Sequence, residues 1–309
     1  MSILMVCNNK DPEPWAKAIK QKLPDTEIQI FPDVSNTKDI DFALCWKPGN
    51  NVLQSFINIK AVQSLGASVE HIFDTNSINP DVQVSRIVDP QLSQDMFEFL
   101  LALTMKHLRD LDQYTNSKTQ KQWEQLPYRN IDSTCISILG AGKIGGHVAA
   151  EFAKMGFKVH TWSGNKVDIP LVNSVTGYQG LIKMMGHTDI LINLLPLTNK
   201  TKGILNRKLL GNIKEGAYLI NVGRGPHLIE EDLIELLDTG KLKGAALDVF
   251  NEEPLLPNHV FWDHPKISIT PHIASLTNTT TAVNQIVENY LRLQKGLPLK
   301  NLVSHKKGY

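Results

Sequence analysis

The sequence predicts an α/β protein made of two doubly wound, parallel-sheet domains with a cleft between them. Three observations lead there. Its 309 residues suffice for two ordinary domains, each with its own core. Short apolar runs alternate with amphipathic stretches through both halves of the chain, the signature of strand–helix repeats and a parallel sheet. A GxGxxG pattern at Gly140, Gly142 and Gly145 falls between a strand-like and a helix-like run, so it opens the second domain and not the first.

In the first half ILMVC, EIQIF, FALCW and AVQSLG read as strands with helical pieces between them. PQLSQDMFEFLLALTMKHLRDLDQYT, residues 90–115, reads as one long amphipathic helix joining the domains. In the second half CISILG, FKVHTW, DILINLLP, AYLINVG, GAALDVF and ISIT read as strands that are apolar enough to be buried on both faces. HVAAEFAKMG and EEDLIELLDTG read as helices, each closed by a glycine stop signal. A last amphipathic helix is expected over about 277–294.

Composition excludes several functions. The net charge of +1 favours neither nucleic acid nor an anionic membrane. The longest apolar runs are of strand length, far short of a bilayer span. MSILMVCNN lacks a basic leader and reads as a first strand rather than a signal peptide. Cys7, Cys45 and Cys135 each sit in a strand-like run without a CxxC pair. They argue against a disulfide framework or a metal site and fit a reducing cytoplasm.

The glycine loop has a chemical reason. One glycine makes the tight turn, one lets the backbone approach a pyrophosphate, and one lets helix and strand pack closely. The helix N-terminus supplies amide donors to the phosphates. The alternative is a bare strand-to-helix turn. About two dozen residues on, at the end of the next strand, an Asp or Glu normally reads the adenosine ribose. Here the chain reads TWSGNK, with Ser163, Gly164, Asn165 and Lys166 and no acid. Those donors suit a 2′-phosphate, hence NADP(H) in preference to NAD(H). The alternative is a loop that tolerates either cofactor.

Ligands of an open parallel sheet sit beyond the carboxyl ends of its strands. Those ends carry Arg224 in NVGRG, Asp248 in ALDVF, Glu253 in NEEPL and His272 in ITPHIAS. Such a set fits hydride transfer to a 2-oxo acid. Arg224 binds oxo and carboxylate oxygens with its planar fork, His272 protonates the forming alkoxide, and Glu253 holds the imidazole. Asp248 is suited to the nicotinamide carboxamide. The plain alternatives are a structural histidine, an Arg–Glu ion pair and two loop caps. His107 and His147 are expected to pack or face solvent.

LGAGKIGG, LINLLPLTNKTKGILN, AYLINVGRGPHLIEEDLIELLDTGKLKGAALDVFNEEPL and ITPHIAS resemble the D-isomer-specific 2-hydroxyacid dehydrogenases, and NLLPLT and FWDHPKISITPHIA resemble their glyoxylate/hydroxypyruvate reductase branch. The resemblance implies Arg224, Glu253 and His272 as the catalytic set. It implies a Rossmann-like dinucleotide domain over 99–276 and a flavodoxin-like substrate domain built from 1–98 and 277–309. Cofactor contacts are implied at Gly140, Gly142, Lys143, Ile144 and Gly145, at Ser163 and Lys166, at Leu195 and Pro196, and at Val222, Gly223, Arg224, Asp248 and His272. Substrate contacts are implied at Trp46, Ala67, Ser68, Arg224 and His272. Backbone amides of Gly66–Glu70 correspond to a carboxylate-holding loop, in which Ser68 replaces a glycine and would be strained if the position needs a positive φ. Trp46 either lines the substrate pocket or is plain core. Relatives that use the phosphorylated cofactor carry arginine just after the second strand, where this chain has Gly164 and then Lys166. A small 2-oxo or 2-hydroxy acid and a second copy in a homodimer are the implied partners, with neither nucleic acid nor membrane. The alternatives are an NAD-linked dehydrogenase of another D-2-hydroxy acid and a non-catalytic dinucleotide-sensing regulator.

Overall fold

A computed structural model describes residues 2–73, 78–306 and 308. Contacts divide the chain into two compact units, residues 1–92 with 277–309 and residues 93–276. The first boundary falls inside the helix Pro90–Leu108.

The first unit holds β1 (Ser2–Cys7), α1 (Glu13–Lys22), β2 (Glu27–Ile30), β3 (Ile40–Trp46), β4 (Ala61–Ser64), α2 (Glu70–Phe73) and β5 (Gln83–Ser85). Its five strands run parallel in the order β2-β1-β3-β4-β5. After α3 (Pro90–Leu108) and α4 (Leu111–Thr119), the second unit continues with β6 (Cys135–Leu139), α5 (Lys143–Lys154), β7 (Lys158–Trp162), β8 (Val172–Val175) and α6 (Gly177–Met185). It closes with β9 (Ile190–Asn193), α7 (Arg207–Leu210), β10 (Ala217–Asn221), α8 (Glu230–Asp238), β11 (Leu242–Leu247) and β12 (Ile267–Ile269). The last helix, α9 (Thr279–Gln294), returns to the first unit.

The seven strands of the larger sheet are parallel in the order β12-β11-β10-β9-β6-β7-β8. Strand order therefore reverses between β6 and β9, where such sheets bind their ligands. Every residue of β6, β9 and β10 is buried, as expected for strands with helices on both faces. In the first unit Ala282, Val283, Ile286 and Tyr290 of α9 enter the core with Ile3, Phe42 and Leu44. Asn278 starts α9, its side chain accepting from the Thr280 N–H at 2.8 Å.

Two expectations change. The single helix over 90–115 is broken, because Asp110 adopts φ +49°, left-handed, between α3 and α4. Aspartate tolerates that region, and its carboxylate pairs with Lys243 at the start of β11. Two edge strands, β5 (QVS) and β8 (VNSV), carry too little apolar pattern to stand out from the sequence.

Candidate active site

The second unit carries the glycine loop at the switch point. Gly140 has φ +102°, and a Cβ there would lie 2.7 Å from the Leu194 carbonyl oxygen. At Gly145 a Cβ would lie 1.8 Å from the Gly140 carbonyl oxygen, so only glycine lets α5 pack on the loop. Beyond Gly142, by contrast, there is open space within 4 Å. Gly142 is the N-cap of α5 and no side chain caps that end. The first-turn amides, with exposed Lys143 and half-buried Ile144, are thus left for a ligand. Open space beside uncapped amides fits a dinucleotide pyrophosphate.

At the end of β7, Ser163 donates its hydroxyl to the Asn165 carbonyl at 2.7 Å. The amides of Gly164, Asn165 and Lys166 find no acceptor among the described residues, and all three residues are exposed. Gly164 needs no glycine for its own fold: its φ is not left-handed, and a Cβ there would meet nothing within 4 Å.

Arg224 follows β10 and Val222–Gly223, and begins a short 3₁₀ turn, Gly225–His227. Its guanidinium donates to the Gly223 carbonyl at 2.5 Å. The turn is fixed by a buried polar network that the sequence reading missed. His227 Nδ1 accepts from the Arg224 N–H at 3.1 Å and from Asn193 Nδ2 at 3.0 Å. Two donors on Nδ1 leave the proton on Nε2, which lies 3.2 Å from the Pro196 carbonyl. The same Asn193 amide donates to Asn221 at 2.9 Å, and its oxygen accepts from the Leu195 N–H at 3.3 Å. One buried histidine thereby ties the Leu195–Pro196 segment to Arg224. A polar residue three positions after Arg224, inside GRGPH, was the only sequence signal. Gly225 presses on the next strand end, where a Cβ would lie 1.9 Å from the Phe250 carbonyl carbon.

His272 and Glu253 meet. His272 Nδ1 lies 2.9 Å from Glu253 Oε2, and Glu253 Oε1 accepts from the Phe250 N–H at 3.2 Å. The carboxylate fixes the ring with Nδ1 as donor and leaves Nε2 for other chemistry. His272 also has φ +56°, a strained conformation for a residue with a Cβ. Asp248 holds that loop in place. One of its oxygens accepts from Thr270 Oγ1 at 2.6 Å and the Ile273 N–H at 2.9 Å, the other from the Ala274 N–H at 2.9 Å. Its carboxylate is thus engaged first with the His272 loop. His107 stacks on Tyr218, centroids 4.1 Å apart, and His147 Nε2 lies 3.2 Å from Gln94 Oε1.

In the first unit, the turn after β4 runs through Gly66, Ala67, Ser68 and Val69. Ser64 Oγ donates to the Ser68 carbonyl at 2.6 Å and accepts from the Gly66 N–H at 3.2 Å. The N–H groups of Ala67, Ser68 and Val69 find no acceptor among the described residues, and Ser68 Oγ is buried without a partner. Ser68 lies outside the left-handed region, so the strain considered for it is absent. Trp46, at the end of β3, covers the turn: a Cβ on Gly66 would lie 2.6 Å from its ring, and His71 packs on it with centroids 5.0 Å apart.

Residues 101–274 match the family model of the D-isomer specific 2-hydroxyacid dehydrogenase NAD binding domain. Over 300 residues, 96% of each chain, the sequence is 37% identical to the glyoxylate/hydroxypyruvate reductase A of Yersinia enterocolitica. The fold matches a D-isomer specific 2-hydroxyacid dehydrogenase from Xanthobacter autotrophicus, solved with NADPH and MES. The TM-score is 0.94 at 32% identity, covering 100% of this chain and 99% of that one. It matches equally the NADPH-dependent glyoxylate/hydroxypyruvate reductase of Sinorhizobium meliloti, solved with NADP and sulfate. There the TM-score is 0.93 at 33% identity over the whole of both chains. Among the described residues, no helix is long and apolar enough to cross a membrane, and no group of three or more His, Cys, Asp or Glu could hold a metal ion.

Proposed function

The chain belongs to the D-isomer-specific 2-hydroxyacid dehydrogenases. From that premise we propose that it reduces glyoxylate, hydroxypyruvate or a similar small 2-oxo acid, with NADPH preferred over NADH. The product is the D-2-hydroxy acid where it is chiral. The observation that carries this reading is the 2.9 Å His272–Glu253 contact, which orients an acid–base imidazole on a loop beyond the strand ends.

The nucleotide is held by the open glycine loop Gly140–Gly145, by the Leu195–Pro196 and Val222–Gly223 strand ends, and by Ser163, Lys166 and Asp248. When bound, it supplies the hydride that goes to the carbonyl carbon. Arg224 holds the oxo and carboxylate oxygens with its fork and favours the negative charge that develops on the oxo oxygen. His272 gives that oxygen a proton from Nε2, and Glu253 holds the ring through Nδ1. Running backwards, the neutral imidazole removes the alcohol proton. The Ala67, Ser68 and Val69 amides take the carboxylate, and Trp46 bounds the space for the side chain.

The finer parts of the proposal are a homodimer, which rests on the family resemblance, and a cytoplasmic location. Three free thiols support the latter. Burial pushes the Cys7 thiol up to about 11, which keeps it protonated. The test is a panel of small 2-oxo acids, each assayed with NADPH and NADH. Turnover of glyoxylate or hydroxypyruvate with NADPH is expected, and no turnover of any member would refute the proposal.

A further inference from the structure

Arg86 lies just past β5, beside the Gly66–Val69 turn at the carboxyl edge of the same sheet. Its Nη1 lies 3.5 Å from the Ala67 carbonyl, at the limit of a hydrogen bond, and that is the one side-chain hydrogen bond it makes among the described residues. No carboxylate pairs with it there. Yet the side chain is half-buried, and burial alone pulls its pKa down. A guanidinium has five N–H donors in a fixed fork, and one taken out of water without an acid is destabilising. Next to it stand three consecutive backbone amides without acceptors and a buried hydroxyl without a partner. Donors and positive charge thus gather on one turn with no anion among the described residues to receive them. The fold tolerates a local cost that a bound anion would remove.

We propose that Arg86 is a specificity-determining residue that binds the substrate carboxylate together with the Ala67–Val69 amides and selects anionic 2-oxo acids over uncharged carbonyl compounds. The inference rests on the reductase reading above and adds a residue to it. Arg224 then serves chiefly the oxo oxygen, and the carboxylate gains a paired charge-assisted contact of its own.

The test uses the intact enzyme and two variants, Arg86→Met and Arg86→Lys. Methionine keeps the aliphatic stem and removes the charge. Kinetics with glyoxylate are read beside calorimetric binding of oxalate, a dianion that cannot be reduced, at saturating NADPH. In Arg86→Met, KM for glyoxylate and Kd for oxalate should rise together by about 10- to 100-fold, the loss expected for one charge-assisted contact. The kcat and the KM for NADPH should stay within about threefold. Without ligands, this variant should melt no lower than the wild type, because the charge it loses has no carboxylate partner among the described residues. Arg86→Lys, which keeps the charge and loses the fork, should fall between the two. Oxalate should raise the melting temperature of the wild type more than that of Arg86→Met. The inference is overturned if both constants stay within twofold in Arg86→Met, if that variant unfolds, or if lysine is indistinguishable from arginine. A wild type that reduces no 2-oxo acid but binds oxalate through Arg86 would defeat the reductase reading and leave the anion site standing.

Discussion

Replacing Ser163 with aspartate puts one negative charge at the end of β7, beside amides with no acceptor. A 2′-phosphate carries about −1.5 to −2 charges at neutral pH. Residues 164–166 are exposed, so a water-like medium is the right limit. At roughly 5 Å, Coulomb's law then gives about 1–2 kcal/mol of repulsion against NADPH. With NADH, the same carboxylate accepts hydrogen bonds from the ribose hydroxyls, a gain of roughly 1.5–3 kcal/mol. Losing the Ser163–Asn165 bond at 2.7 Å costs both cofactors alike and drops out of the ratio. The swing is roughly 2.5–5 kcal/mol, or about sixty- to several-thousandfold in relative kcat/KM. A wild-type NADPH preference of about tenfold should therefore reverse, and one of about a hundredfold should reverse or nearly vanish. The assay is steady-state kinetics with each cofactor at saturating 2-oxo acid, at low and high salt. The change should lie in the KM for the cofactor and shrink with salt. A ratio that moves less than threefold, or a loss confined to kcat, would show that this loop does not read the phosphate.

Three further outcomes can be checked. His272→Ala should cost about 10²–10⁴ in rate, and Glu253→Gln, which removes the carboxylate that holds the His272 ring, should lower kcat as well. An alanine variant with the wild-type rate would assign the acid elsewhere. Gly225→Ala forces a Cβ to within 1.9 Å of the Phe250 backbone, so melting should drop by roughly 5–10 °C with loss of activity; an unchanged melt would mean that the turn can yield. His107, stacked on Tyr218, has its pKa pushed down by burial from 6.5 to about 4. The unfolded chain then takes up that proton at higher pH than the folded one. Its contribution is whole above about 6.5 and declines as pH falls towards 4, by at most about 3 kcal/mol. His107→Phe should flatten that part of the stability curve in acid titrations followed by circular dichroism, and an identical acid limb would place the loss elsewhere.

Much of the fold was legible because strands buried on both faces, such as Cys135–Leu139 and Ala217–Asn221, are apolar at nearly every position. The edge strand Val172–Val175 was not: half-exposed VNSV carries no such signal. Nor was the break at Asp110, since an isolated left-handed residue leaves the helical period on either side intact. At the site, the types Arg, Glu and His announced themselves through their positions after strand-like runs, whereas their supports did not. His227 acts through which nitrogen accepts, and Asp248 through backbone groups 25 and 26 residues on. Arg86 was invisible for the opposite reason: among the described residues no carboxylate pairs with it, and a sequence does not display how a side chain is paired.

The division of the first unit between residues 1–92 and 277–309 bears on how the chain is made. On a ribosome, the strands β1 to β5 emerge first, but the helix that supplies Ala282, Val283, Ile286 and Tyr290 to their core emerges last. At about 5–20 residues per second, the intervening residues 93–276 take roughly ten to forty seconds to synthesise. Throughout that interval one face of the five-stranded sheet has α1 but lacks the α9 part of its cover, while the continuous second unit can complete its own core. Nascent-chain experiments should therefore find the later-made unit protected from protease first, and the earliest-made strands dependent on chaperones until α9 clears the exit tunnel.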